Sequence, residues 1–362
     1  MFSQIKRKLE GRSNKTPAPT TTTSSVAGNR YEVPFFVNAA YYPNWRIYRQ
    51  QPPSSLRLGV KDDGTVYLSD EWADTQMPVD GTNGCLRAFT QLKQQYSKMK
   101  VILSIGGGGK GSDNFALVAG SRSRTEMFCR TARELVDLFG LDGVDIDWEH
   151  PSNPTEGNNY IHLLSALRAF FPPPYVLATC LPGSEWALHN IDLAKAARYL
   201  DLLNIMAYDF SGPWTSTSGH HAQLKSTSKS PISGQSAVSY VLNQGVPHQK
   251  LLLGVPAYGR SFLGCSKPGQ SHSGCGGEDG VFDYKDLPRP GAKEGVDEKA
   301  GAAFCVGGDG GFVSYDTAKT VQMKARFVVS KRLAGLFYWH IASDARGDRS
   351  LLEMGFKTLH EM

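Results

Sequence analysis

The sequence predicts an α/β protein: a (β/α)8 TIM barrel with an inserted small α+β subdomain, its second barrel strand missing or shortened. Three observations carry this expectation. Near-continuous apolar runs recur at 33–42, 100–107, 141–149, 175–182, 200–209, 250–259 and 334–342, the pattern of strands buried on both faces. Helical patterns lie between several of them, and strands alternating with helices imply a parallel sheet. Seven such runs, with no Gly-x-Gly-x-x-Gly turn after the first, favour a barrel over a doubly wound sheet.

Taken in order, residues 1–30 are polar, with Pro17, Pro19 and a Thr/Ser tract at 20–25. They hold too little apolar surface to fold alone and are expected to be a disordered tail. The barrel is expected to occupy 31–358. Its clearest helix is 124–140, where Met127, Leu135, Val136 and Phe139 recur at helical spacing and Gly140 supplies a stop. The interval between Gly259 and Phe337 is too long for a plain crossover. It carries strand candidates at 280–284 (GVFDY) and 310–316 (GGFVSYD), so an α+β insertion is expected at about 263–330. Between the first two apolar runs another buried strand is due. The interval offers only TVYLS at 65–69, preceded by Asp62, Asp63 and Gly64, which reads as half of a surface hairpin.

With 362 residues, 40% hydrophobic, the chain can bury a substantial core. A net charge of +5, with only the short run Lys6-Arg7-Lys8 concentrated, gives no reason to expect nucleic acid. No stretch approaches the ~18 apolar residues of a membrane span. The segment MFSQIKRKLEGR lacks the apolar core of a secretory signal; a cytoplasmic or unconventionally exported protein is expected, with an extracellular location left open. Six cysteines form no CxxC pair, so neither a metal nor a cofactor is expected. Buried free thiols are the expectation, although Cys265 and Cys275 share a Gly/Ser-rich loop and could bond after export. His220 and His221, in a Ser/Thr/Gly-rich loop without a third ligand, read as surface residues.

The chemistry is concentrated at 142–149, DGVDIDWE. Side chains alternate along a strand, so Asp145, Asp147 and Glu149 share one face, with same-face neighbours roughly 6–7 Å apart. Three carboxylates in a row on a buried strand are costly, and at least one should hold a proton near neutrality. Glu149 lies nearest the C-terminal end, where barrel active sites are built, and is placed to act as a general acid. A conventional retaining glycosidase needs a second carboxylate about 5–5.5 Å away, across the scissile bond. Asp147, on the same strand as Glu149, cannot easily flank a sugar from the other side. A substrate N-acetyl group, its carbonyl oxygen attacking its own anomeric carbon, would serve as the nucleophile.

The pattern Asp142-x-x-Asp145-x-Asp147-x-Glu149 resembles the DxxDxDxE motif of glycoside hydrolase family 18, the chitinase family, at every defined position. Ser104-Ile105-Gly106-Gly107 is similar to its SxGG strand, Met206-Ala207-Tyr208-Asp209 to its MxYD strand, and Tyr258-Gly259-Arg260 to a cleft-lining segment. Trp339 falls where the family places a tryptophan under the reacting sugar. The matches run in order over about 33–358, and their context most resembles fungal endochitinases.

The resemblance implies that Glu149 protonates the glycosidic oxygen while Asp147 orients the acetamido group and stabilises an oxazolinium ion. It implies that Asp145, supported by Ser104, shares a proton with Asp147, and that Tyr208 hydrogen-bonds the acetamido carbonyl. Asp209 and Arg260 would bind sugar hydroxyls or the acetamido group, with Met206 and Tyr258 lining the cleft. Tyr42, Trp45, Tyr48, Trp186 and Trp214 follow strand ends, where aromatic faces could stack on sugars. Chitin or a chitooligosaccharide is the implied partner, and a monomer is expected. In the family an apolar strand stands between stretches like PPSSLRLGV and KDDGTVYLSDEW. Its loss would expose two sheet edges, which leaves a weakly active or inactive chitin-binding protein as the alternative.

Overall fold

The computed structural model describes residues 36–47, 59–228 and 230–361, without the side chains of Trp45 and Ile47. The tail expected at 1–30 lies outside them. Seven parallel strands form the main sheet: β1 (Val37–Ala40), β2 (Leu103–Gly106), β3 (Gly143–Asp147), β4 (Val176–Pro182), β5 (Leu202–Met206), β6 (Leu251–Pro256) and a last strand, Gly335–Trp339. Their spatial order is β1, Gly335–Trp339, β6, β5, β4, β3, β2. Helices follow most of them, and one core joins the sheet to the surrounding helices through Ile105, Val144, Ile146, Leu203, Leu253 and Leu336. The sheet curls as a barrel does, but among the described residues no strand joins its edges, β1 and β2.

On the β2 side stands a short hairpin, Gly59–Val60 against Val66–Tyr67, turned at Gly64 with φ 94°. A hairpin was expected, but a surface one. Val60 and Val66 are instead buried in the main core. Asn114 Nδ2 donates to the Val60 carbonyl (2.7 Å), and Thr131 Oγ1 accepts from the Val66 amide (3.0 Å). Side chains thus satisfy backbone groups that a barrel strand would have paired.

The helix Arg122–Phe139 ends where the sequence expects, with Gly140 in the left-handed conformation that stops a helix. The run at 250–259 becomes two strands. β6 ends at Pro256, and β7 (Tyr258–Phe262) enters a second, antiparallel sheet with β8 (Val281–Asp283), β9 (Lys293–Asp297), β10 (Ala302–Val306) and β11 (Phe312–Tyr315). Ala257 joins the two sheets: its amide donates to Trp339 and its carbonyl accepts from Tyr284. The last barrel strand becomes β12 (Gly335–Trp339), reached through the helix Ala318–Lys331. All six cysteines are free, five of them buried. Among the described residues no helix is long and apolar enough to cross a membrane.

Candidate active site

Strand β3 carries the carboxylate row, and its alternation is as the sequence requires. Val144 and Ile146 enter the apolar core, while Trp148 stacks on Phe115 (5.6 Å between centroids) and meets Tyr160 edge-on. Asp142, at the other end, faces Lys93 (2.8 Å) and Lys100 (3.4 Å) and accepts from the Val101 amide; it anchors the strand. The strand ends at Asp147, so Glu149 lies just beyond it, half-buried. Ser112 clamps this exit: its hydroxyl donates to the Gly107 carbonyl (2.9 Å) and accepts from the Glu149 amide (2.9 Å). The SxGG glycines permit the close approach. A Cβ on Gly106 would lie 2.3 Å from the Asp147 carbonyl oxygen, and the Gly107 amide donates to that oxygen.

Asp145 is fully buried among side chains from β2, β4, β5 and the residue after β1. Ser104 Oγ (2.8 Å) and Tyr41 Oη (3.0 Å) donate to its Oδ2, and Asn204 Nδ2 approaches its Oδ1 (3.4 Å). Asn204 also donates to Tyr41 Oη (2.8 Å), and Cys180 Sγ lies 2.9 Å from the same oxygen. Burial pushes the Asp145 carboxyl up, against the hydrogen bonds from Ser104, Tyr41 and Cys180. Asp147 is buried two residues on.

From Tyr41 an aromatic chain leads across the end of the barrel. Trp339 is 5.5 Å from the Tyr41 ring, Phe337 packs against both Tyr41 and Tyr208, and Tyr208 meets Tyr258 edge-on at 6.2 Å. Burial, then the neighbouring Tyr258, pushes the Tyr208 hydroxyl well up, so it stays protonated. Arg260 grips Asp209 with two hydrogen bonds (2.8 and 2.9 Å) and lies 4.8 Å from the exposed ring of Trp214. Met206 is half-buried at the end of β5.

The remaining expected residues are less closely tied to this cluster. Trp186 is exposed, its ring edge-on to His150 beside Glu149. Tyr42 is half-buried and packs on Phe89 of the helix Cys85–Gln95 (5.1 Å). Trp45 lies in the short helix Asn44–Ile47, with its side chain, and all of Tyr48, outside the described residues.

His220 and His221, expected at the surface, are buried. The inserted sheet covers their loop: Ser314 Oγ of β11 lies within 3.4 Å of His220 Nδ1 and accepts from the His221 amide, and Phe304 and Phe312 flank His220. His221 Nδ1 lies 3.5 Å from Asp209.

Sequence reasoning missed Tyr41, Asn204, Cys180, Ser112 and His221. Asn204 had a signal, as the lone amide inside the apolar run LDLLNIM.

The family model described as glycosyl hydrolases family 18 matches residues 37–344. The chain is 33% identical to "Endochitinase 1" of Metarhizium robertsii over 94% of its own length and 88% of that protein's. It is 31% identical to "Chitinase 1" of Aphanocladium album, covering 94% and 89%. Among solved structures, the Group IV chitinase of Ostrinia furnacalis in complex with allosamidin superposes with a TM-score of 0.80 at 25% identity, covering 90% of this chain and 99% of that one. With the family's model spanning the carboxylate strand, both sheets and the tryptophan that ends β12, the chain belongs to glycosyl hydrolases family 18.

Proposed function

We propose that the protein is an endo-acting chitinase that hydrolyses β-1,4 N-acetylglucosamine linkages with retention, the substrate's own acetamido group serving as nucleophile. The observation that carries this reading is the carboxylate row: a buried Asp145 held by Ser104 and Tyr41, then Asp147, then a half-buried Glu149 at the strand exit. The chitinase names of the similar fungal proteins support the substrate.

Glu149 donates its proton to the glycosidic oxygen as the bond to the anomeric carbon breaks. The acetamido carbonyl oxygen attacks that carbon, giving an oxazolinium ion, and Asp147 accepts the acetamido N–H and offsets the new charge. Water then attacks from the side the leaving group left, with Glu149 taking its proton, so the configuration is retained; family 18 departs in this way from the two-carboxylate scheme. Asp145, its carboxyl pushed up by burial, holds a proton that Asp147 can share. Tyr208, kept protonated, donates to the acetamido carbonyl. Trp339 stacks under the reacting sugar, Arg260 and Asp209 bind its polar groups, and Met206 and Tyr258 line the cleft. Trp186 and Trp214 extend it with exposed aromatic faces.

The test compares the parent and Glu149→Gln on N-acetylglucosamine oligomers, following product size and anomeric form. The parent should release internal fragments in the β form, and the variant should lose activity by at least about a hundredfold. Equal activity in both would sink the acid assignment. That no described strand joins β1 to β2 favours a second reading, a chitin-binding protein of little activity, and a parent that binds oligomers without cleaving them would establish it.

A further inference from the structure

Beyond the cleft, three separated segments converge on the turn that follows Trp339. Asp283, at the end of strand β8 in the inserted sheet, pairs with Arg46 from the turn after β1. Its other oxygen accepts from Ser343 Oγ at 2.8 Å, and Arg46 also reaches Ser343 Oγ at 3.3 Å. Lys285 Nζ lies 3.3 Å from Asp283 and donates to the Ala342 carbonyl at 3.0 Å. The Ile341 amide donates to the Tyr41 carbonyl, and the Trp339 carbonyl accepts from Ala257. Ser343 is buried, and Asp283 and Arg46 are mostly covered. Residues 340–343 are therefore held from the first barrel strand on one side and from the insertion on the other.

We propose that Asp283 is a positioning residue for the sugar platform: through Arg46 and Ser343 it fixes the turn that sets the plane of the Trp339 indole. A surface ion pair joining two side chains would contribute little. This carboxylate instead ties the insertion to the turns that follow β1 and β12, two strands that pair with each other while β8 pairs with neither. A stacking surface binds sugar only when its ring is already oriented, because ordering it on binding consumes affinity. The proposal rests on the reading of Trp339 as that platform.

The test is a double-mutant cycle in the Glu149→Gln background, with chitohexaose binding measured by calorimetry. Asp283→Ala and Ser343→Ala should each weaken binding, Asp283→Ala by about tenfold. Neither should weaken it further once Trp339→Ala is present. Full additivity with Trp339→Ala, or unchanged binding in Asp283→Ala and Ser343→Ala, would overturn the positioning role. Unchanged binding in Trp339→Ala would instead remove the platform reading itself, and the proposal with it. Should Asp283→Ala fail to fold, the cycle with Ser343→Ala decides alone.

Discussion

Asp209 occupies a left-handed backbone conformation, φ 59°, which a short polar side chain tolerates better than a bulky one. Burial pushes its carboxyl up, but His221 and the two bonds from Arg260 outweigh this and hold it well below the ordinary carboxylate range. A carboxyl whose folded value is depressed adds stability above its unfolded value, near 3.8, and loses it only as pH falls through the folded one. Arg260→Met should therefore cost about 1.5–3 kcal/mol at pH 7 in urea unfolding, because it leaves a buried carboxylate without its main cation. A variant as stable as the parent would mean that Arg260 does not hold Asp209 low. At this scale the carboxylate row was legible, because its spacing of two is the period of a strand. The choice of Tyr42 over Tyr41 as a cleft residue was not settled by sequence. Consecutive residues face opposite ways, and only the structure shows Tyr41 turned towards Asp145 while Tyr42 packs on Phe89. The burial of His221 was out of reach, because Ser314, which accepts from its amide, stands 93 positions away.

Elements place these residues by how closely their backbones approach. Gly254 of β6 lies between β5 and β12: a Cβ there would stand 2.7 Å from the Ile205 carbonyl oxygen, 2.8 Å from Phe337 Cζ and 2.9 Å from Tyr208 Cε1. The backbone oxygen yields least, so β6 itself would have to shift against β5, and the two rings with it. Gly254→Ala should cost about 1–3 kcal/mol through overpacking and lower activity beyond the loss of folded protein, since Tyr208 is displaced. Thermal melts alongside kcat at a temperature well below the transition separate the two effects, and unchanged values in both would show that strand and rings adapt freely. The apolar runs exposed the barrel strands because burial on both faces leaves a composition signal. Strand β9, KEGVD, is half exposed and charged and carries no such signal. Nor does composition show that one run, 250–259, divides between two sheets, because the division depends on Ala257 pairing with Trp339 and Tyr284.

On the scale of the whole molecule, β1 and β2 are not joined by a strand among the described residues, and side chains tie the end of β1 to the segment before β2. Tyr42, just past β1, meets Phe89 on the helix Cys85–Gln95, and Asn44 donates to both oxygens of Asp74 (3.0 and 3.1 Å). Asp74 is buried, and burial, only partly offset by the Asn44 bonds, pushes its carboxyl up to about 6. Because that folded value lies above the unfolded 3.8, its contribution is fully present below pH 3.8. It is lost as pH rises through about 6, where the ionised carboxylate must be kept out of water. At pH 7.5 the seam thus carries a cost that a neutral side chain of the same shape avoids. Asp74→Asn keeps one carbonyl acceptor for Asn44 and should be more stable than the parent at pH 7.5 by about 3 kcal/mol, the difference fading towards pH 4. Urea midpoints of the two proteins at both pH values measure it. A variant that is less stable at pH 7.5 would show that the ionised Asp74–Asn44 contact strengthens the seam, and the end of β1 would then be tied to the segment before β2 by charge rather than in spite of it.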